Sequence, residues 1–303
     1  MNNFIVRSIT GVLFVAIVIC SFLDPIAMVA LFTLVTALAV HEFCSIINNN
    51  VEKVHVNTFI CTVAGAYFFL AMAGYCSDFT GNAGVFIPYL ITVVYLLVSE
   101  LYLKAENPIA NWAYTMLSQM YVALPLSMIN VLAFEQTQQT AQGCFSLEST
   151  VPAVSFSALP LMVFVIIWIN DTGAYLSGSL FGKHKLFPRV SPGKSWEGSI
   201  GGGILVLIFA AVMWYLVEKT TVFSFYSYIA YHFSLLEWLG LGLVVVFFST
   251  WGDLVESLIK RTLGIKDSGH ILPGHGGMLD RFDSSLLAMP AAVIYLFTLQ
   301  MIR

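Results

Sequence analysis

The stretch Leu235–Ser284, LLEWLGLGLVVVFFSTWGDLVESLIKRTLGIKDSGHILPGHGGMLDRFDS, passes from hydrocarbon to dense charge. Its opening run, Leu235–Leu263, is long enough to cross a hydrocarbon core of ~30 Å, which takes about 20 residues. From Ser257 onward it gathers four basic residues, three aspartates, two histidines and five glycines. Charge is scarce elsewhere. Only 10% of the chain is Asp, Glu, Lys or Arg, where a soluble domain carries about 25%. A chain that excludes charge, yet concentrates it where one apolar run ends, is building a polar site at a membrane surface.

Working outward, the whole chain reads as an all-α, polytopic integral membrane protein. Its 303 residues are 58% hydrophobic, with a mean hydropathy of +0.85. About nine runs are long enough to span. They are Phe4–Leu23, Pro25–Ile47, Thr58–Tyr75, Ala83–Leu103, Ile109–Phe134, Ala158–Phe181, Ser199–Val217, Leu235–Leu263 and Ser284–Ile302. No stretch has the small-residue cleavage pattern of a signal peptide, so the first run is expected to remain as a helix. With the N-terminus in the cytoplasm and the C-terminus outside, all but Lys219 and Arg303 of the 13 Lys and Arg residues fall on the cytoplasmic side, as the positive-inside rule requires. The connector Glu135–Ser157 has no Lys or Arg and is rich in Gln, Thr and Ser. It divides residues 1–157, expected to form five helices serving as scaffold and as dimer or lipid region, from residues 158–303, whose four helices carry the site.

The net charge of −4 comes with no basic arm or aromatic–basic stripe, so nucleic acid is not an expected partner. The five cysteines show no CxxC pairing. Cys20, Cys44 and Cys61 read as small core hydrophobes. Cys76 and Cys144 both fall on the predicted outer side, where a disulfide is open to them.

Four constellations can carry chemistry. Asn170 and Asp171 sit inside an apolar run, and a carboxylate there is costly unless paired, so Asp171 is a functional candidate. The competing reading is helix–helix hydrogen bonding, with Gly173, Ser177 and Gly178 allowing close approach. Next comes Ser191–Ser199, SPGKSWEGS, followed by Gly201–Gly203. It lacks the earlier glycine and the strand of a phosphate loop. Amides of Gly193 and Ser195 opening a helix beside Lys194 still form an anion cradle, whereas the orientation rule alone accounts for Lys183, Lys185 and Arg189. In the third, Asp253, Glu256, Ser257 and Lys260 share one helix face, with Arg261 next in sequence. A carboxylate pair at the membrane boundary suits Mg²⁺, which takes hard oxygen ligands. The fourth runs through Lys266-Asp267-Ser268-Gly269 and Pro273-Gly274-His275-Gly276-Gly277 to Asp280, Arg281 and Asp283. Its glycines let backbone amides approach a ligand. Helix capping, at about 0.3–1 kcal/mol, explains the aspartates alone but not their union with Arg281 and the glycine-rich loop. His275 stays open as base, ligand or hydrogen-bond donor. Together these groups are what Mg²⁺-dependent nucleotide chemistry needs.

The segment Ser257–Asp283 resembles the hallmark segment of the phosphatidate cytidylyltransferases (CDP-diacylglycerol synthases), and Asn170–Lys185 and Ser191–Gly202 are similar to that family's middle region. The resemblance implies a Mg²⁺-dependent enzyme of the bacterial inner membrane, homodimeric, with its active site facing the cytoplasm. Such an enzyme joins CTP to phosphatidic acid, a membrane lipid, and releases CDP-diacylglycerol and pyrophosphate. Carried across, Asp253, Asp280, Lys260, Lys266 and Arg281 are the catalytic candidates. Asp253 and Asp280 match the metal-centre aspartates, with Asp283 and Glu256 as further metal candidates. Asp171, Lys194, Ser195, Glu197, Arg261, His275, Gly276 and Gly277 are the binding candidates. Two other readings stand beside this one. A CTP-dependent polyprenol or phytol kinase is distantly similar. An ion-coupled transporter would use Asp171 and Asp253, but it would place its charges near the bilayer midplane rather than at one face.

Overall fold

The computed structural model describes residues 3–77, 79–80, 82–136, 154–219, 233–269, 271 and 276–302. His275 and Cys144 lie outside the described residues, so neither their roles nor a Cys76–Cys144 bridge has a structural account. Helices dominate, because a chain in lipid has to satisfy its backbone polar groups within each segment. They are α1 (Asn3–Ser21), α2 (Pro25–Asn50), α3 (Thr58–Cys76), α4 (Ile87–Leu103), α5 (Pro108–Leu117), α6 (Leu124–Ser127), α7 (Ile129–Ala133), α8 (Leu159–Phe181), α9 (Trp196–Lys219), α10 (Leu235–Thr262), α11 (Leu279–Phe282) and α12 (Ser285–Ile302). Eight described segments are long and apolar enough to cross a membrane, while the first expected run contributes the shorter apolar stretch Ile9–Ser21 of α1.

Sequence signals set the boundaries. Asp24 and Asn107 cap α2 and α5 through their side-chain oxygens, each with proline at the first helical position, where its missing N–H costs nothing. Ser234 and Glu237 form a reciprocal capping box at the start of α10. The fifth span is interrupted: a π-helical segment, Ser118–Ala123, joins α5 to α6. Pro125 lies just beyond it. That residue has no N–H to return to the carbonyl of Tyr121, and its ring crowds that turn.

Strand is confined to two short antiparallel pairs. One joins β1 (Phe134–Gln136) to β2 (Val154–Phe156), and the other joins β3 (Lys185–Phe187) to β4 (Ser191–Ser195). The second pair turns the basic stretch between α8 and α9, read from sequence as a loop, into a hairpin.

Two devices bring the helices close. Along α8 and α9, glycines replace side chains at the contact. A Cβ on Gly173 would meet Leu205 Cδ1 at 2.8 Å and Gly202 Cα at 3.0 Å, and one on Gly198 would meet the Ala174 carbonyl at 2.8 Å. This is the small-residue packing of membrane helices. Between α10 and the α11–α12 junction, Gly252 leaves room for the carbonyls of Asp283 and Ser284, which a Cβ would approach at 2.8 and 3.0 Å. Beneath the polar residues lies an aromatic cluster. Phe282 packs edge-on against Phe14, Phe32 and Phe164 at centroid distances of 5.6, 5.9 and 5.9 Å. With Phe282 held in the core, its neighbours Arg281 and Asp283 are left toward the polar side. The buried core is continuous across the 1–157/158–303 division. The outer faces are apolar: α4 buries only Leu96, as a helix bathed in lipid requires.

Candidate active site

The polar residues meet at the end of the bundle where α2, α8 and α10 finish and α9 and α11 begin. The face of α10 supplies the frame. Ser257 Oγ donates to Asp253 Oδ1 at 3.1 Å, one turn away. Lys194, at the end of the hairpin, reaches across to Asp253 Oδ2 at 2.7 Å and donates to the Thr250 carbonyl at 3.3 Å. Lys194 is therefore docked on α10 rather than free in a basic loop. Asp171, exposed on α8, feels the charges of Asp253 and Lys194. Asp283 feels Asp253, Asp171 and Lys260. Asp171 on α8, Asp253 on α10 and Asp283 at the α11–α12 junction thus lie within electrostatic reach of one another, with Lys194 paired to Asp253.

One turn further along α10 lies a second cluster. Glu256 is fully buried, and its Oε2 meets the ammonium of Lys260. Lys260 also contacts Asp280 Oδ1 at 2.6 Å. The other oxygen of Asp280 accepts the N–H groups of Ser268 and Gly277, each at 2.9 Å. Gly276, beside it, takes φ +81°, a conformation glycine adopts without strain. The cluster joins the end of α10 to both described ends of the glycine-rich turn. A buried charge of this kind is sustained only by its partner.

The remaining candidates divide by position. Lys266 and Arg281 are exposed, with no carboxylate partner among the described residues. Arg261 is exposed and donates through Nη1 to the Ile265 carbonyl at 3.2 Å. These cations are available to an anion. Ser195 is buried, and its Oγ accepts the Gly198 N–H at 3.1 Å, the work of a helix cap. Glu197 pairs with the His184 ring at 2.6 Å and accepts the N–H groups of Lys183 and His184 at 3.2 Å. It pins the start of the hairpin. Asn170 is buried and donates to Ser249 Oγ at 3.3 Å, so this residue is interhelical glue while its neighbour Asp171 faces the polar cluster.

The donor set bears on a divalent cation in two ways. Among the described residues, no three His, Cys, Asp or Glu side chains gather closely enough to cage a metal unaided. Mg²⁺ does not need such a cage, since it keeps waters and is commonly held by one or two carboxylates plus substrate phosphates. Asp253 and Asp283, facing Asp171, meet that requirement. Of the other two expected ligands, Asp280 has both oxygens engaged and Glu256 is committed to Lys260 through Oε2. Glu256 Oε1 and Tyr121 Oη are buried without hydrogen-bond partners among the described residues. Tyr121, in the π segment, is near enough to feel the charges of Glu256, Asp283 and Asp253.

Two participants escaped the sequence reading. One is Tyr121. The other is Glu42 on α2, which is 4% exposed and bonds to Ser268 and to the N–H of Leu279. The signal for Glu42 was available: it is a carboxylate inside an apolar run, like Asp171.

Beside the site, an apolar groove of about 700 Å³ runs along α9 and α10, lined by residues including Phe187, Trp196, Phe247, Thr250 and Trp251. Thr250 belongs both to this groove and, through its carbonyl, to the Lys194 contact.

Fold and site define a class: a polytopic helical membrane protein that holds carboxylates, cations and a glycine-rich turn at one end of its bundle. Comparison with known proteins narrows it. The chain belongs to the cytidylyltransferase family, whose model matches residues 5–299. It is similar to a phosphatidate cytidylyltransferase of Staphylococcus aureus (strain COL), with 47% identity over 138 residues, covering 45% of this chain and 48% of that protein. A phosphatidate cytidylyltransferase of Haemophilus influenzae (strain ATCC 51907 / DSM 11121 / KW20 / Rd) is 44% identical over 142 residues, covering 46% of each chain. The chain thus spans about half the length of the curated relatives it matches.

Proposed function

We propose that this protein transfers CMP from CTP to phosphatidic acid, giving CDP-diacylglycerol and pyrophosphate, at the cytoplasmic face of the inner membrane. The observation that carries the reading is the junction at Thr250. There the Lys194–Asp253 pair of the polar cluster adjoins an apolar groove. A phosphate head group and an acyl chain of one lipid need those two environments side by side. Family membership and the names of the similar proteins point the same way.

In this reading, a phosphate oxygen of phosphatidic acid attacks the α-phosphorus of CTP in line. The new P–O bond forms as the bond from the α-phosphorus to the bridging oxygen of pyrophosphate breaks. The attacking phosphomonoester is anionic near neutral pH, its second pKa being about 6, so no strong general base is required. The burden falls on positioning and on neutralising charge. Lys194 steers the head group beside Thr250. Lys266, Arg281 and Arg261 draw the triphosphate to the mouth, and the Lys260–Asp280 pair fixes the turn against which it lies. Asp253 and Asp283, with Asp171 opposite, would hold Mg²⁺, which would supply positive charge to offset that of the phosphates. The homodimer rests on the resemblance alone.

The reading is tested with purified protein in liposomes given CTP, Mg²⁺ and phosphatidic acid. Formation of CDP-diacylglycerol that stops without phosphatidic acid supports it. CTP-dependent phosphorylation of a polyprenol in its place overturns it.

A further inference from the structure

We infer that Glu42 is a positioning residue that latches the two described ends of the glycine-rich turn, Ser268 and Gly277–Leu279, for nucleotide binding. Glu42 reaches that turn across more than two hundred residues of sequence. Its Oε1 accepts the Ser268 hydroxyl at 2.8 Å and its Oε2 accepts the Leu279 N–H at 3.0 Å. Ser268 Oγ in turn accepts the Asp280 N–H at 3.3 Å, and Asp280 Oδ2 takes the Ser268 and Gly277 N–H groups. One carboxylate thereby holds the entry to the turn, its exit and the aspartate between its strands of hydrogen bonds.

The glycines record the same constraint. A Cβ on Gly269 or on Gly277 would overlap Glu42 Oε1, so both positions are shaped around this side chain. No Lys or Arg among the described residues pairs with Glu42. A buried carboxylate supported only by neutral donors is costly, and inside a membrane helix such a group marks function. Helix packing alone does not ask for a charge here, because α2 already carries a full apolar core face including Phe32, Phe43 and Ile47.

The inference rests on the proposed reading in one respect: that the turn faces CTP. The experiment compares wild type, Glu42→Gln and Glu42→Ala in liposomes. It measures KM for CTP and for phosphatidic acid, kcat, and hydrogen exchange at the amides of Ser268, Gly277 and Leu279. In Glu42→Ala the KM for CTP is expected to rise at least about tenfold, the loss of a charge-assisted hydrogen bond. The KM for phosphatidic acid should stay within about twofold, and the three amides should exchange faster while those of α8 do not. Glu42→Gln keeps an acceptor for the Leu279 N–H and should recover part of the loss, which also keeps the test open if the alanine variant fails to fold. Unchanged KM values, with kcat falling only as the folded fraction falls, would overturn the inference. So would unchanged exchange at the three amides. If wild type makes no CDP-diacylglycerol, the proposed function falls, and the exchange data still decide whether Glu42 latches the turn.

Discussion

Two lysines carry unequal duties. Lys194 pairs with Asp253 where both side chains keep some exposure, 24% and 29%. Lys260 instead neutralises Glu256, which has none. Replacing Lys260 by Met leaves a buried carboxylate uncompensated and should cost about 3–5 kcal/mol of stability. Adding Glu256→Gln should return most of it, so a double-mutant cycle in thermal unfolding checks the pair. Asp253→Asn should leave the unfolding midpoint near wild type, because a part-exposed pair is worth about 0–1 kcal/mol. It should nevertheless lower kcat by about 10²–10³-fold, the cost of removing one preorganised charge-stabilising group. Asp280→Asn should lower both activity and stability, since Lys260 and two backbone N–H groups depend on it. Chelation of divalent cations should stop wild-type turnover, with Mg²⁺ restoring it. Turnover that persists in excess chelator would remove Mg²⁺ from the mechanism.

At the level of the elements, the glycine seam between α8 and α9 holds Asp171 and Lys194 within reach of α10. Gly202→Leu would collide with Asn170, whose carbonyl a mere Cβ already approaches at 2.7 Å. The helices should part at a cost of about 1–3 kcal/mol, with activity lost along with stability. Gly203→Ala is the control, for its Cβ meets only Val246 Cγ1 at an ordinary 3.6 Å. Its unfolding midpoint should match wild type or rise slightly, given alanine's higher helix propensity. Much of this level was legible in the sequence. The runs, including the start at Pro25, and the shared face of Asp253, Glu256, Ser257 and Lys260 were read from the sequence, while α5 starts at Pro108, one residue before the run read from Ile109. The hairpin was not, because β3 and β4 are too short and too charged to show an alternating pattern. The π segment was hidden because it lies within one spanning run, Ile109–Phe134, whose hydropathy does not register a change of helical pitch. Glu42 carried the local signal of a carboxylate in an apolar run, but its role was not legible, because its partners Ser268 and Leu279 are remote in sequence.

Taken whole, the molecule brings distant parts of its chain to one end. Lys53 and Glu106, in the connections after α2 and α4, pair at 3.0 Å, so these two connections share one side of the bundle. Single cysteines replacing Lys53 and Lys183 should both be labelled by an impermeant thiol reagent from the cytoplasmic side alone, in a background lacking the native cysteines. Labelling of the two from opposite sides would break the topology. The central claim is that the converging carboxylates and cations serve nucleotidyl transfer to an acidic lipid. It is tested most directly by isotopic fate in proteoliposomes holding phosphatidic acid. Label from α-³²P CTP should enter the lipid fraction as CDP-diacylglycerol, and label from γ-³²P CTP should leave as pyrophosphate. Entry of the γ label into lipid, or no consumption of CTP at all, would contradict it.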